Sequence, residues 1–128
     1  MRVLIDTHAP IWYVDQDHLL TPVAHATITD PANDVLVSAA TVWEVAIKVG
    51  TGKLSLSGPY RAWMTKALAD LGATVLPVTV EYADAQAGLP FHHRDPFDRL
   101  LVARALTEGV PIVGADAQFD AYGITRIW

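Results

Sequence analysis

The chain has 128 residues, 52% of them hydrophobic, with no cysteine and a formal net charge of −5. That length predicts one domain, residues 1–128, with enough apolar side chains for a core and neither disulfides nor thiolate metal sites. The acidic residue at position 6 argues against a signal peptide, and no apolar run approaches the roughly 20 residues of a membrane helix. We therefore expect a soluble, cytoplasmic protein with no membrane contact.

The net charge bears on whether the protein binds nucleic acid. Taken alone, a negative chain is a poor ligand for phosphates, whose binding depends on neutralisation by cations. The argument weakens if several acids share one pocket, because bound divalent cations would reverse the local sign of the charge. Arg94, Arg99 and Arg104 also surround one central stretch of the chain. Net charge therefore leaves the question open.

Short apolar runs alternate with helical patterns along the chain. Strands are predicted at residues 3–5, 35–37, 73–78, 111–113 and 125–128. Helices are predicted at residues 7–14, 21–29, 41–49, 60–71, 79–88 and 96–108, with a short helical piece at 117–121. This alternation predicts an α/β fold with a central parallel sheet of about four to five strands and helices on both faces. Ligands of such sheets bind at the carboxyl ends of the strands.

The central stretch, residues 95–105, has the pattern of a helix start. Asp95 is suited to accept a hydrogen bond from a free backbone N–H, and Pro96 suits the first helical position. Asp98 then falls in the first turn, beside apolar residues at helical spacing. The purely local interpretation is that Asp95 caps the helix and Asp98 balances its dipole.

Three more acids occupy comparable places. Asp6 and Asp116 each follow a predicted strand, at the edge where an open α/β sheet forms its crevice. Glu44 lies in the first half of the helix that follows the second strand, so it should lie over the same crevice. The local alternative for Glu44 is an exposed pair with Lys48, four residues later.

Four carboxylates from distant positions are therefore expected to converge: Asp6, Glu44, Asp98 and Asp116. Packed together without metal they would repel one another, and hard divalent cations resolve that repulsion. Ligands that are all oxygen favour Mg²⁺, with Mn²⁺ as a possible substitute. Such a site suits phosphoryl chemistry, since a bound metal activates water and stabilises the leaving oxygen.

The segments that carry these acids resemble the PIN-domain family, and most closely the VapC-type toxins of type II toxin–antitoxin pairs. The matching segments are residues 4–8 (LIDTH), 42–48 (VWEVAIK), 52–54 (GKL), 93–105 (HRDPFDRLLVARA) and 114–116 (GAD). The resemblance covers nearly the whole chain, and the segment 93–105 is its most specific part. It implies a Mg²⁺-dependent endoribonuclease acting on RNA, a VapB-like antitoxin as partner, and a homodimer.

Mapped by motif, the family's four acids fall on Asp6, Glu44, Asp98 and Asp116, and no expected acid is missing. These are the predicted catalytic and metal-binding residues. Thr7 stands where the family often has Ser or Thr close to the metal, so it is a possible accessory residue. Asp95, also a possible accessory residue, is an added acid of this subgroup, consistent with a cap. Two rivals remain: a non-catalytic PIN-like module that only binds a partner, and a phosphoacceptor domain, which the lack of lysine after residue 113 disfavours.

Other polar and aromatic residues have local explanations. His8 and His93 adjoin motif acids, and a hydrogen bond within a loop or to an acid is the expected use of each. Arg99, a possible accessory residue, is expected either to meet RNA phosphate or to pair with Asp95 and nearby acids. Three tryptophans on helices are expected in the core or an interface: Trp12, Trp43 and Trp63.

Overall fold

The computed structural model, which describes residues 1–128, contains five strands, six α-helices and two short 3-10 helices. The strands are β1 (Arg2–Ile5), β2 (Asp34–Ser38), β3 (Thr74–Leu76), β4 (Ile112–Val113) and β5 (Arg126–Ile127). The helices are α1 (His8–Asp15), α2 (Pro22–Thr29), α3 (Ala39–Gly50), α4 (Tyr60–Asp70), α5 (Val80–Ala87) and α6 (Pro96–Glu108). The 3-10 helices are Asp17–Leu19 and Ala117–Tyr122. No helix is both long and apolar enough to cross a membrane.

The strands form one parallel sheet in the order β3-β2-β1-β4-β5. β1 is the central strand, with β2 on one side and β4 on the other, so the direction of winding reverses at β1. Such a reversal opens a crevice at the carboxyl ends of the adjoining strands. The predicted α/β fold with a parallel sheet is confirmed.

The core has two layers because alternate residues of a strand point to opposite faces of the sheet. On one face, Val3 and Ile5 of β1 belong to a buried cluster with residues of α1 and α2. On the other face, Leu4 belongs to a cluster with Leu101 and Val102 of α6. Helices therefore cover both faces, as predicted.

The strongest helix signal in the sequence, residues 95–105, is confirmed in detail. The Asp95 carboxylate accepts hydrogen bonds from the backbone N–H groups of Phe97 and Asp98, at 2.8 and 3.2 Å. Pro96 is the first helical residue, and Gly109 ends the helix in a left-handed conformation with φ of 65°. Asp95 is therefore the N-cap of α6.

Most element boundaries differ from the predictions by one or two residues, and α3, β3 and β5 are examples. α3 begins at Ala39, earlier than predicted, because the Ser38 hydroxyl accepts the N–H of Ala40 and caps the helix. β3 is only three residues long, since Pro77 follows it and has no N–H to donate to a ladder. β5 is confined to two residues.

The tryptophans divide between core and surface. Trp63 is buried, as expected, and Trp12 is half-buried. Trp43 is 64% exposed and packs edge-on against Phe97 at 5.8 Å, so it lies outside the core of this chain, and an interface stays the prediction for it. The opposite side of α3 carries the buried residues of that helix.

Candidate active site and metal centre

The predicted acids lie at the carboxyl edge of the sheet, on elements next to its centre. Asp6 follows β1, Asp116 follows β4, Asp98 is in the first turn of α6 and Glu44 is in α3. Ligand atoms of Asp98, Asp116 and His93 all lie within 4.8 Å of one another. Asp6 and Glu44 stand outside this tightest group but act on it electrostatically, Asp6 through Asp116 and Glu44 through Asp98.

Asp6 is held by the start of α1 and by the end of β4. Its Oδ1 accepts the N–H of Ala9 at 2.9 Å. Its Oδ2 lies so close to Gly114 that a Cβ built there would stand 2.7 Å from that oxygen. Burial raises the pKa of the Asp6 carboxyl, although the hydrogen bond from Ala9 opposes the rise. Glycine at position 114 therefore makes room for a buried carboxylate.

Asp98 is a strongly perturbed acid of the group. Burial raises its pKa from 3.8 to about 6, and the negative charges of Asp95, Glu44 and Asp116 add to the effect. The carboxylate is still mostly ionised at neutral pH, but its charge carries a free-energy cost that a nearby cation would reduce. The surroundings of Asp98 are therefore arranged for a positive charge.

Asp116 has the opposite behaviour. Burial alone would raise its pKa, but hydrogen bonds from His93 and from the backbone of Gln118 outweigh burial and hold the pKa below its ordinary value. The Gln118 N–H donates to Oδ1 at 2.9 Å, and His93 Nε2 lies 3.0 Å from Oδ2. Asp116 is therefore ionised at neutral pH.

Glu44 is buried, which corrects the alternative of an exposed helix pair. Its partner is nevertheless Lys48, whose Nζ lies 2.6 Å from Oε2. The Thr7 hydroxyl donates to Oε1 at 2.6 Å and lies 3.5 Å from the Thr41 hydroxyl. Desolvation opposes the charge on Lys48, but the bond to Glu44 wins and raises the Lys48 pKa. The predicted accessory residue Thr7 thus orients Glu44.

Arg99 does neither of the two things expected of it. The side chain is buried, and its guanidinium donates to the carbonyls of Gln86, Leu89 and Pro90 at 3.0–3.3 Å. It also lies over the ring of Phe91 at 4.1 Å. Arg99 therefore fixes the loop between α5 and α6, which carries His93, and is not a partner of Asp95.

Two further residues of the edge were not singled out in the sequence. Gly114 stands directly after a buried strand, where close approach of backbone to a side chain favours glycine, so a signal for it existed. Tyr122, at the end of a 3-10 helix, contacts His93 through its hydroxyl. Nothing local marks Tyr122, because its contact spans 29 residues of sequence.

The residues present fit a divalent metal. Asp98 and Asp116 offer carboxylate oxygens, the ligands that Mg²⁺ and Mn²⁺ prefer. The raised pKa of Asp98 reflects its burial first and repulsion from neighbouring carboxylates second, and a cation would offset both. A bound cation would also attract the carboxylate of Asp6, whose Oδ2 lies beside Gly114 at the end of β4.

With this fold and this acidic edge, the chain is a PIN protein: the model of the PIN domain matches residues 3–124, and the chain belongs to that family. PIN domains are generally nucleases, which supports a hydrolase at the level of reaction class. No curated protein sequence matches the chain.

Solved structures with the same fold are similar over nearly their whole length. The structure of VapBC2 from Rickettsia felis, bound to a DNA fragment of the VapBC2 promoter, has a TM-score of 0.70 at 12% identity. The match covers 98% of the present chain and 97% of the Rickettsia chain. FitAcB from Neisseria gonorrhoeae has a TM-score of 0.62 at 20% identity, with 97% and 95% covered. FitAB bound to an IR36 DNA fragment has a TM-score of 0.63 at 18% identity, with 97% and 92% covered.

Proposed function

We propose that this chain is a Mg²⁺-dependent endoribonuclease and the toxin component of a type II toxin–antitoxin pair. The observation that carries the proposal is the grouping of Asp98 and Asp116 beside Asp6 at the sheet edge, with an elevated pKa on Asp98. The PIN family match supports nuclease chemistry, and the fold similarity to VapBC2 and FitAB supports the toxin assignment.

In this proposal the four acids have different roles. Asp98 and Asp116 would hold the metal, with Asp6 as a further ligand. Glu44, fixed by Thr7 and Lys48, would position the attacking water or complete the metal's ligands. A bound divalent ion would supply a water of lowered pKa and neutralise charge on the phosphate. No side chain of the protein needs to act as nucleophile.

The substrate would be RNA, with cations near the edge supporting its phosphates. Two of the three arginines around the α6 segment, Arg99 and Arg104, are buried. Arg94 is exposed, as is Lys53 in the loop after α3. Arg94 and Lys53, together with a bound metal, would offset the effect of the chain's net charge of −5 on RNA binding.

The first experiment is cleavage of a total RNA pool by purified protein freed of any partner. Lanes with Mg²⁺, with EDTA, and with the Asp98→Asn and Asp6→Asn variants are compared with Asp84→Asn, a substitution of an exposed acid on α5. We expect discrete products with Mg²⁺ for the wild type and Asp84→Asn only. Full Mg²⁺-dependent activity in Asp6→Asn, or no cleavage by folded, metal-bound wild type, would overturn the proposal. A matched single-stranded DNA lane tests the preference for RNA.

A VapB-like antitoxin and a homodimer belong to the same proposal. Large apolar side chains are exposed, among them Val80 at 86% and Phe91 at 81%, and such surface supports protein contacts. Light scattering on the purified protein should give twice the mass of the chain. Added antitoxin should suppress cleavage of RNA at a stoichiometric ratio.

A further inference from the structure

A buried histidine lies directly behind one of the acids. His93 is in the loop before α6, its side chain is 4% exposed, and its Nε2 contacts Asp116 Oδ2 at 3.0 Å. The imidazole is nearly parallel to the Tyr122 ring, with centroids 5.6 Å apart, and tilted against Phe119 at 5.2 Å. The two aromatic rings leave the imidazole little freedom to turn.

The hydrogen bonds around Tyr122 determine where the imidazole carries its proton. The Tyr122 oxygen accepts the backbone N–H of His93 at 3.0 Å, which leaves its own proton to be donated. Nδ1 of the same histidine lies 3.2 Å from that hydroxyl, and Nε2 faces the Asp116 carboxylate. An ionised carboxylate can only accept, so we assign the ring proton to Nε2, and Nδ1 of the neutral ring then accepts the proton of Tyr122.

Asp116 is thereby held at both oxygens. Oδ2 faces His93, and Oδ1 accepts the N–H of Gln118 in the following 3-10 helix. Each carboxylate oxygen keeps a further lone pair after accepting one hydrogen bond. Donors of this kind fix the orientation of ligating groups and have large effects on metal affinity.

We propose that His93, oriented by the Tyr122 hydroxyl, is a positioning residue that holds Asp116 ready for the metal. The inference rests on the proposed nuclease function and adds to it a residue outside the four acids. Direct ligation by His93 is the competing assignment, because its ring nitrogen lies within 4.8 Å of ligand atoms of Asp98 and Asp116. The geometry argues against it, since Nε2 and Nδ1 both already have partners.

Three variants separate these roles. His93→Phe keeps a ring between Phe119 and Tyr122 but removes the donor to Asp116. His93→Gln keeps an N–H donor near the position of Nε2. Tyr122→Phe removes only the hydroxyl that orients His93, and Tyr13→Phe, a tyrosine on α1 outside the carboxyl edge, is the matched control.

The main measurement is Mn²⁺ binding in the absence of RNA, by the paramagnetic resonance of the free ion. We expect His93→Phe to weaken binding ~10–100-fold. Tyr122→Phe should weaken it several-fold, while His93→Gln and Tyr13→Phe stay near the wild type. In RNA cleavage, the loss in His93→Phe should be recovered in large part at saturating Mg²⁺, with KM for RNA unchanged.

Wild-type Mn²⁺ affinity in His93→Phe would overturn the assignment. So would a His93→Gln variant as weak as His93→Phe beside an unaffected Tyr122→Phe, which is the result expected of a direct ligand. If His93→Phe does not fold, wild-type Mn²⁺ affinity in Tyr122→Phe would overturn the assignment, as would a larger loss of affinity in His93→Gln than in Tyr122→Phe. Failure of the proposed function is a separate result: wild-type protein that binds Mn²⁺ but cleaves no RNA.

Discussion

Replacing Asp98 by asparagine should stabilise the metal-free protein at neutral pH. The folded-state pKa of Asp98 is about 6, against 3.8 for the ordinary carboxyl. Because the folded pKa is the higher one, the protonated form contributes stability that is full below pH ~4 and lost as pH rises through ~6. Asparagine carries no charge at any of these pH values, so the variant escapes the loss.

The size of the effect follows from the same two pKa values. Their difference corresponds to about 3 kcal/mol at pH 8 as an upper bound. Solvent screening at this partly exposed side chain reduces the figure to about 1–2 kcal/mol. For a domain of this length, that raises the midpoint of thermal unfolding by roughly 4–8 °C.

The assay is thermal unfolding followed by circular dichroism in EDTA, at pH 8 and pH 4, for the wild type, Asp98→Asn and Asp84→Asn. We expect the Asp98→Asn advantage at pH 8 to shrink towards zero at pH 4, with Asp84→Asn unchanged throughout. Saturating Mg²⁺ at pH 8 should reverse the order, since only the wild type keeps the ligand. Equal midpoints for wild type and Asp98→Asn at pH 8 in EDTA would refute the argument that burial and neighbouring charges destabilise the ionised Asp98.

Three other substitutions test the surroundings of the site. Gly114→Ala places a Cβ against Asp6 Oδ2, so calorimetric Mn²⁺ affinity should fall at least ~10-fold and stability by about 1–3 kcal/mol; wild-type values for both would contradict the close approach. Lys48→Met removes the partner of buried Glu44 and should lower the free energy of unfolding in urea by about 1–3 kcal/mol. In a double-mutant cycle with Glu44→Gln, the two single losses should add up to more than the loss of the double variant. Arg99→Lys should cost about 2–4 kcal/mol, because an ammonium cannot reproduce the geometry of a guanidinium on three carbonyls, and a near-neutral result would refute that role.

The sequence predicted the sheet, and the placement of the acids at its carboxyl edge, from local signals. Buried parallel strands have short continuous apolar runs, and the start of α6 has a cap, a proline and an acid within its first turn. Parallel sheets also place the ends of their strands at one edge, so residues following strands can be expected to meet. From that rule we predicted that Asp6 and Asp116 lie close together at the carboxyl edge of the sheet.

The remaining features depend on contacts that no local pattern encodes. Arg99 was expected to bind phosphate or an acid, but its partners are three carbonyls at the end of α5 and in the following loop, whose path only the folded chain defines. Tyr122 contributes through a hydroxyl that reaches back 29 residues. Trp43 has apolar neighbours in sequence, yet its side of α3 is uncovered in this chain.

The adjacency of β1 and β4 determines when the acidic edge can exist. Leu4 pairs with Ile112 and Ile5 with Val113, so the first strand acquires its second neighbour only when residues 112–113 are present. Synthesis proceeds from the amino terminus, so this pairing cannot form before those residues have been made. A nascent chain still lacking β4 therefore carries Asp6 and Glu44 without Asp116. The proposed nuclease would therefore be unable to cleave the message that encodes it until β4 and Asp116 have been synthesised.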